Sequence, residues 1–497
     1  MRFHWADTPG AAPGSLLLLG LVVALLAGMV TAVAGSMADY RAIYYVAVFG
    51  FIVLGGIVAL TRPEPVRFVF LALIACFPIA NAIVPPGRIG LSVFDVTMVA
   101  LALALIGRRL LAPVAGRAPL FPTTSLLAAW LLAIPCVVLS QFPALSSVVL
   151  IVSFGVYAFF VLALDELGRE RGFERLVLLF SIVLLFMASG ILIEHFFRVS
   201  LHLQGANLNQ IKYSAAGFEI HRAGGFFQDA QKAGAFVSCL ITFLLLLVIR
   251  GRLRDPTTRS VAWAAIVLSA LALVTTVSRT AILACLLASG LALIALNKWN
   301  PLAKLLILAS VIAIATLGAL TPVETWLSMA PAAVQERFLQ MRTDLEIRTV
   351  IWFDTWNMFA DHPVAGIGLG SFQSFLMQTR PSAFNYYGLG DAAGTSYIPD
   401  QPESGYLKIL YEGGIAGSAA LLLVVADALR RAAVLIASPR TDADARTESI
   451  AALAALLNFG LTFVTLFTAN DPRIAALFAF LLAVIWHRSL SRAQCNA

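Results

Sequence analysis

The chain has 497 residues, of which 60% are hydrophobic and 12% charged, with a mean hydropathy of +0.89. These values exclude a water-soluble globular protein and specify a polytopic membrane protein. A net charge of +7 does not by itself separate nucleic-acid binding from membrane orientation, so the placement of the basic residues has to decide.

Apolar runs fill the chain, without an internal repeat or low-complexity tract. In chain order the expected spans are 15–36, 43–61, 66–84, 92–107, 123–140, 146–164, 175–194, 231–249, 260–277, 280–296, 303–320, 403–426, 449–467 and 473–487. Most approach the ~20 residues that a bilayer core demands. The expected fold class is an all-α polytopic membrane protein of about fourteen transmembrane helices (12–14), with a large periplasmic loop subdomain containing amphipathic helices. Its parts are N-terminal membrane helices (1–194), a first outer loop (195–230), further membrane helices (231–320), a large outer loop (321–402) and C-terminal membrane helices (403–497). The first span resembles a signal peptide only superficially. Its apolar run is too long, and the preceding region carries Asp7 with Arg2 as its one basic side chain, so it reads as a retained span.

Lys and Arg set the orientation. With a cytoplasmic N-terminus, the inner segments hold Arg62 and Arg67, Arg108, Arg109 and Arg117, and Arg169, Arg171 and Arg175. Further along they hold Arg250, Arg252, Arg254 and Arg259, then Lys298 and Lys304, then Arg430, Arg431, Arg440 and Arg446, then Arg488 and Arg492. The short outer loops carry Arg41, Arg88, Arg279 and Arg473 almost singly. This satisfies the positive-inside rule, puts both termini in the cytoplasm, and attributes the net charge to topology rather than nucleic acid.

The two long outer segments are where a site is expected. Pro331 to Asp361 reads as an amphipathic helix or helix pair, stopped by His362-Pro363 because proline disfavours helical geometry in the residue before it. Gly366-Ile-Gly-Leu-Gly370 follows. No βαβ context surrounds it, which argues against a dinucleotide site and for a tight turn presenting main-chain N–H groups. Next comes Glu403-Ser-Gly-Tyr-Leu-Lys-Ile-Leu-Tyr-Glu-Gly-Gly-Ile-Ala-Gly417. On a helix from Pro402, Glu403 and Tyr406 share one face, with Gly414 and Gly417 below them for close helix approach. The plainer reading is an acidic helix N-terminus followed by small packing residues.

Among other candidates, Arg279 sits where two spans meet and Arg222 just before a span, each at a membrane boundary where a guanidinium snorkels or meets an anion. Two Arg forks at one interface suit a diphosphate. His195, His202 and His221 are too loosely spaced for a convincing zinc site, and Asp442-Ala-Asp444 reads as a solvated charge cluster; no metal or other cofactor is expected. Asp95 stands out as the carboxylate well inside a span. Cys76, Cys136, Cys239 and Cys285 fall within spans and Cys495 in the tail, so no disulfide is expected.

Four motifs occur in order: Arg222-Ala-Gly-Gly-Phe-Phe227, Ser278-Arg279-Thr280, Trp356-Asn-Met-Phe-Ala-Asp-His-Pro-Val-Ala-Gly-Ile-Gly-Leu-Gly-Ser-Phe372 and Ser404-Gly-Tyr-Leu-Lys-Ile-Leu-Tyr-Glu412. In these, over roughly residues 220–420, the chain resembles the O-antigen ligase and O-antigen polymerase superfamily of bacterial inner-membrane glycosyltransferases. The resemblance implies metal-independent, inverting transfer on the periplasmic face from a glycan on undecaprenyl diphosphate to a sugar hydroxyl of a glycan acceptor. It implies that Arg222 and Arg279 engage the diphosphate. Ligases of this family carry His where this chain has Glu403, so the acidic residue points toward the repeat-unit polymerases. Glu403 is then the candidate base, His362 the alternative base, and Tyr406, Arg348, Gly366 and Gly368 supporting residues.

Three functions follow from this reading: a polymerase of O-antigen, capsule or exopolysaccharide repeat units, with a co-polymerase as a possible partner; a ligase moving a glycan to lipid A core or protein; and a transporter or flippase. A transporter predicts ionisable residues at the midplane and two similar halves, whereas here the polar residues cluster at the outer boundary.

Overall fold

A computed structural model describes residues 95, 98–103, 105–106, 124–167, 171–198, 201, 213–215, 218–220, 222–227, 229–296, 348–349, 351–353, 355–372, 374–375, 402–438, 441–465 and 471–496. The expected spans 15–36, 43–61, 66–84 and 303–320 lie outside the described residues, as does most of 321–402.

The named helices are α1 (Thr124–Val138), α2 (Pro143–Leu167), α3 (Arg171–Phe197), α4 (Ala230–Ile249), α5 (Pro256–Thr275), α6 (Arg279–Leu296), α7 (Gly405–Ala437), α8 (Ala443–Thr462) and α9 (Pro472–Asn496). Among the described residues, α2, α3, α4, α5 and α9 contain stretches long and apolar enough to cross a membrane, with shorter apolar stretches in α1 and α6. The protein is therefore a helical membrane protein. One departure from the all-α expectation is a hairpin, β1 (Tyr213–Ala215) with β2 (Phe218–Ile220), paired antiparallel across two residues. Tyr213, Ser214 and Ala215 stand opposite Ile220, Glu219 and Phe218, in a segment with no helical period to follow.

Local chemistry sets the helix starts. Asp229 caps α4 by accepting from the Gln231 N–H at 2.7 Å. Asp255 caps α5 by accepting from Thr258 N–H at 2.7 Å, with Pro256 in the first turn where its missing donor costs nothing. α4 is the central helix, surrounded by α3, α5, α6, α8 and α9. It is apolar almost all round, as a helix enclosed by helices must be. A buried polar cluster ties it to α6 and α8: Ser238 donates to Asn458 Oδ1 at 3.0 Å, and Asn458 Nδ2 and Ser289 Oγ donate to Thr242 Oγ1 at 3.1 and 3.2 Å. Such interhelical bonds stabilise membrane helix pairs by about 0.6–2 kcal/mol each.

The bundle has two chemically distinct ends. At one, Arg252 is buried against Glu448 (2.7 Å), Glu174 (3.4 Å) and Asp444 (3.7 Å), and Arg488 donates to the same Glu448 at 2.7 Å. Arg254 also takes Asp444, at 2.8 Å. Asp444 of the Asp-Ala-Asp motif is therefore bound up with arginines. Asp427 pairs with Arg431 at 2.7 Å, whose guanidinium lies 4.7 Å from the Trp486 ring centroid. Among the described residues, Arg252, Arg254, Arg431 and Arg488 thus lie at the same end of the bundle. The opposite end gathers the residues before α4, the α5–α6 turn, the start of α7 and the end of α8.

Candidate functional site

Arg222 to Phe227 cross the tips of three helices at that opposite end. Arg222 Nε donates to Thr276 O at 3.4 Å and the Ala223 N–H to Thr275 O at 3.5 Å, which lays the segment on the end of α5. The Gly224 N–H donates to Glu194 Oε2 at 2.9 Å, and the Gly225 N–H donates to the same oxygen. Gly225 has φ +60, and a Cβ there would sit 2.9 Å from the Ile191 backbone N, so glycine is required by both conformation and space. Arg473 Nη1 donates to Phe226 O at 2.9 Å, its guanidinium stacks 3.8 Å from the Phe227 ring centroid, and Asp471 accepts from Nε and Nη2 at 2.8 and 2.6 Å. Burial pushes the Asp471 carboxyl up, but the Arg473 charge and hydrogen bonds, with Lys232, hold it below the usual range.

The Ser-Arg-Thr motif begins on strained backbone. Val277 has φ 54, a left-handed conformation that a β-branched residue adopts at a cost of about 1–3 kcal/mol. Thr276 Oγ1 accepts from the Ser278 N–H at 3.2 Å, Ser278 is buried against Gly234, and α6 then starts at Arg279 with its side chain exposed. Strain of this kind is held only where surroundings over-determine it, and here it falls two residues before Arg279.

Glu403 is strained in the same way, with φ 51. This corrects the expectation of a helix from Pro402. Ser404 is the N-cap and α7 starts at Gly405, so Glu403 stands outside the helix and does not share a helical face with Tyr406. The capping serine displaced the start: its extended backbone turns the chain before the first helical residue. Glu403 O accepts from Trp352 Nε1 at 3.2 Å, and Arg348 Nη2 lies 3.5 Å from Glu403 Oε2, both side chains partly exposed. The Tyr406 hydroxyl donates to Gly460 O at 2.7 Å, and the Gly405 N–H to Phe463 O at 2.8 Å.

Residues 460–465 at the end of α8 join the two regions. Phe463 and Gly460 hold the start of α7, while Thr465 Oγ1 donates to Thr280 Oγ1, next to Arg279, at 3.1 Å. Arg222, Arg279, Arg348 and Glu403 are thereby gathered at one end of the bundle. His362 is not among them. The described residues from 351 to 361 are helical and begin beside Glu403 at Trp352; ten residues of helix carry His362 about 15 Å away, where its Nε2 lies 3.4 Å from Gln141 Nε2. The helix ends there, as the His-Pro pair requires.

The glycine string after Pro363 does present main-chain groups, and they face α7. Gly414 breaks that helix with φ 58, ψ −159. The freed groups pair with the loop: Ile367 and Gly368 N–H donate to Tyr411 O (3.1 Å) and Glu412 O (2.9 Å), while Ile415 and Ala416 N–H donate to Pro363 O (2.9 Å) and Val364 O (3.0 Å). Gly366 and Gly368 are buried by this packing; a Cβ on Gly366 would lie 2.4 Å from Glu412 O. Gly414 is therefore a break point in the helix rather than one step of a smooth helical face.

Three residues escaped the reading of the sequence. Glu412, buried, accepts from Gly370 N–H at 2.9 Å and Phe372 N–H at 3.1 Å. With Asp95, also buried, it makes a second carboxylate inside an expected span, which corrects the view of Asp95 as the lone one. Glu194 carried a usable signal, since an acid in the last turn of a helix opposes the macrodipole and needs a specific partner. Asp471 before Pro472 looks like an ordinary helix start, so its buried arginine partner was hidden. His195 lies against Phe196 in the last turn of α3, and His202 and His221 lie outside the described residues.

The site as built offers arginines for an anion, a carboxylate beside one of them, and strained backbone at both motifs. No curated protein matches the chain. Residues 264–422 match the family model described as O-Antigen ligase, a family of glycosyltransferase-like membrane enzymes whose substrates are lipid-linked glycans. The match begins in α5 and ends in α7, taking in the Ser278-Arg279 turn, the glycine loop and Glu403, and over those residues it supports the resemblance to the O-antigen ligase and O-antigen polymerase superfamily.

Proposed function

We propose that this protein is a periplasmic-face glycosyltransferase of the bacterial inner membrane that polymerises oligosaccharide repeat units carried on undecaprenyl diphosphate. The observation that carries the reading is the convergence of Arg222, the Ser278-Arg279 turn and Glu403 through residues 460–465. Arg222 and Arg279 take the diphosphate, whose negative charge grows as the glycosyl bond breaks. Glu403 takes the proton from the acceptor hydroxyl as that oxygen attacks the anomeric carbon from the opposite face, with inversion and without a metal. Arg348 holds the carboxylate in place. The acidic residue at 403, where ligases of the family carry His, favours polymerisation over ligation to lipid A core or protein.

The test is product analysis with a purified lipid-linked repeat unit. Ladders of increasing length support the polymerase; product formed only after a separate acceptor is added supports the ligase. In the same assay Glu403→Gln keeps size but removes basicity, and turnover should fall roughly 100- to 10,000-fold for a general base. Activity in Glu403→His with none in Glu403→Gln supports the base role. Normal turnover in Glu403→Gln removes Glu403 as the base.

A further inference from the structure

We propose that Glu194 and the Asp471–Arg473 pair are positioning residues for Arg222, holding the Arg222–Phe227 turn so that its guanidinium meets the lipid diphosphate. The inference rests on the reading of Arg222 as a diphosphate ligand.

Three charged side chains are buried around this one turn: Glu194 and Arg473 at 0% exposure and Asp471 at 2%. Burying charge is costly, and apolar contacts would join α3, α4 and α9 at lower cost. Charged groups add direction. Both hydrogen bonds from the turn to Glu194 come from main-chain N–H groups, at Gly224 and Gly225, two and three residues past Arg222. Arg473 takes the next carbonyl, of Phe226, and covers the next ring, of Phe227. Asp471 fixes Arg473 through two of its nitrogens. On the other side, Thr275 and Thr276 carbonyls take Ala223 and Arg222 themselves. Every residue from Arg222 to Phe227 is thus held from α3, α5 or the start of α9.

Helix requirements do not explain these groups. Glu194 sits in the last turn of α3, where its charge opposes the helix dipole. Arg473 could pair with Asp471 at the start of α9 without reaching Phe226. With Arg222 Nε on Thr276 O, contact with a ligand falls to the two Nη nitrogens, whose position follows the turn's backbone. A shift of about 1 Å in such a group costs on the order of 100-fold.

The experiment measures the affinity of the full-length protein for undecaprenyl diphosphate. Glu194→Gln and the joint change Asp471→Asn with Arg473→Met are compared in the parent and in an Arg222→Ala background. Each should weaken binding roughly 10- to 100-fold in the parent and produce no further loss once Arg222 is gone, because groups acting through a shared residue are not additive. Equal losses in both backgrounds, or no loss in the parent, overturn the inference while leaving the diphosphate reading of Arg222 intact. Unchanged binding by Arg222→Ala alone overturns that reading, and the inference with it. If the Asp471 and Arg473 change prevents folding, Glu194→Gln, which keeps shape and one acceptor, and Phe227→Leu carry the same comparison.

Discussion

Replacing Gly414 by alanine should unlock the loop of residues 363–372 from α7. Gly414 has φ 58 and ψ −159, a conformation essentially restricted to glycine, and alanine there carries a strain of about 1–3 kcal/mol. The new Cβ would also stand 2.5 Å from Gly366 N and Val364 O. Both are backbone atoms, so neither can swing aside. Four hydrogen bonds link the strands of chain at this point, at 2.9 to 3.1 Å. Each is worth about 0.5–1.5 kcal/mol, so losing two adds about 1–3 kcal/mol. The expected total is about 2–6 kcal/mol. Thermal unfolding of the detergent-purified protein measures it, with two controls. Gly290, with nothing within 4 Å of an added Cβ, should accept alanine with no loss or a gain of up to ~1 kcal/mol. Gly251, at φ +64 in open space, should lose only the local strain of about 1–2 kcal/mol. The residues from 351 to 361 are held at Trp352 and again by this loop, so Gly414→Ala should also loosen Arg348 from Glu403 and lower polymer output. Parent-like unfolding and output in Gly414→Ala would refute the reasoning.

Arg222→Ala and Arg279→Ala should each impair glycan assembly while the protein remains folded. Each loses a charge-assisted contact of about 1.5–3 kcal/mol, or roughly 10- to 100-fold, and lysine should restore only part because it lacks the bidentate fork. Normal polymer output from both alanine variants would remove the diphosphate clamp. Gly390→Cys should react with an impermeant thiol reagent from outside and Asp442→Cys from inside, as the bias of Lys and Arg requires. Labelling of both from one side would separate the loop before Glu403 from the face on which the site is proposed.

Much of this site was legible in the chain. Composition alone established a membrane protein, since no soluble fold accommodates 60% hydrophobic residues at this hydropathy. Local spacing sufficed for the helix stop at His362-Pro363 and for a glycine turn that offers its backbone. The grouping of Arg252, Arg254, Arg431 and Arg488 at one end also followed from charge placement. The ordered motifs led to the family that residues 264–422 match. These features depend on residue type and near neighbours.

Other features depend on contacts between residues far apart in the chain. A pattern of helical spacing put Glu403 on a helix with Tyr406, but Ser404 caps at that point, the Phe463 carbonyl takes the Gly405 N–H, and the Trp352 indole holds the Glu403 carbonyl, leaving Glu403 in a left-handed conformation that no local preference favours. Gly414 looked like a packing glycine because the groups it frees are paired by residues some fifty positions earlier. Glu194 meets Gly224 and Gly225 only because α3 ends beside the start of α4. The sequence by itself determined the class of the protein, its apolar elements and the residue types at its polar motifs, because these follow from hydrophobicity, charge and local conformational preference. Only the tertiary structure decided which of those residues meet and which backbone is strained to let them, because buried charges and broken helices are tolerated only where partners from distant parts of the chain satisfy them.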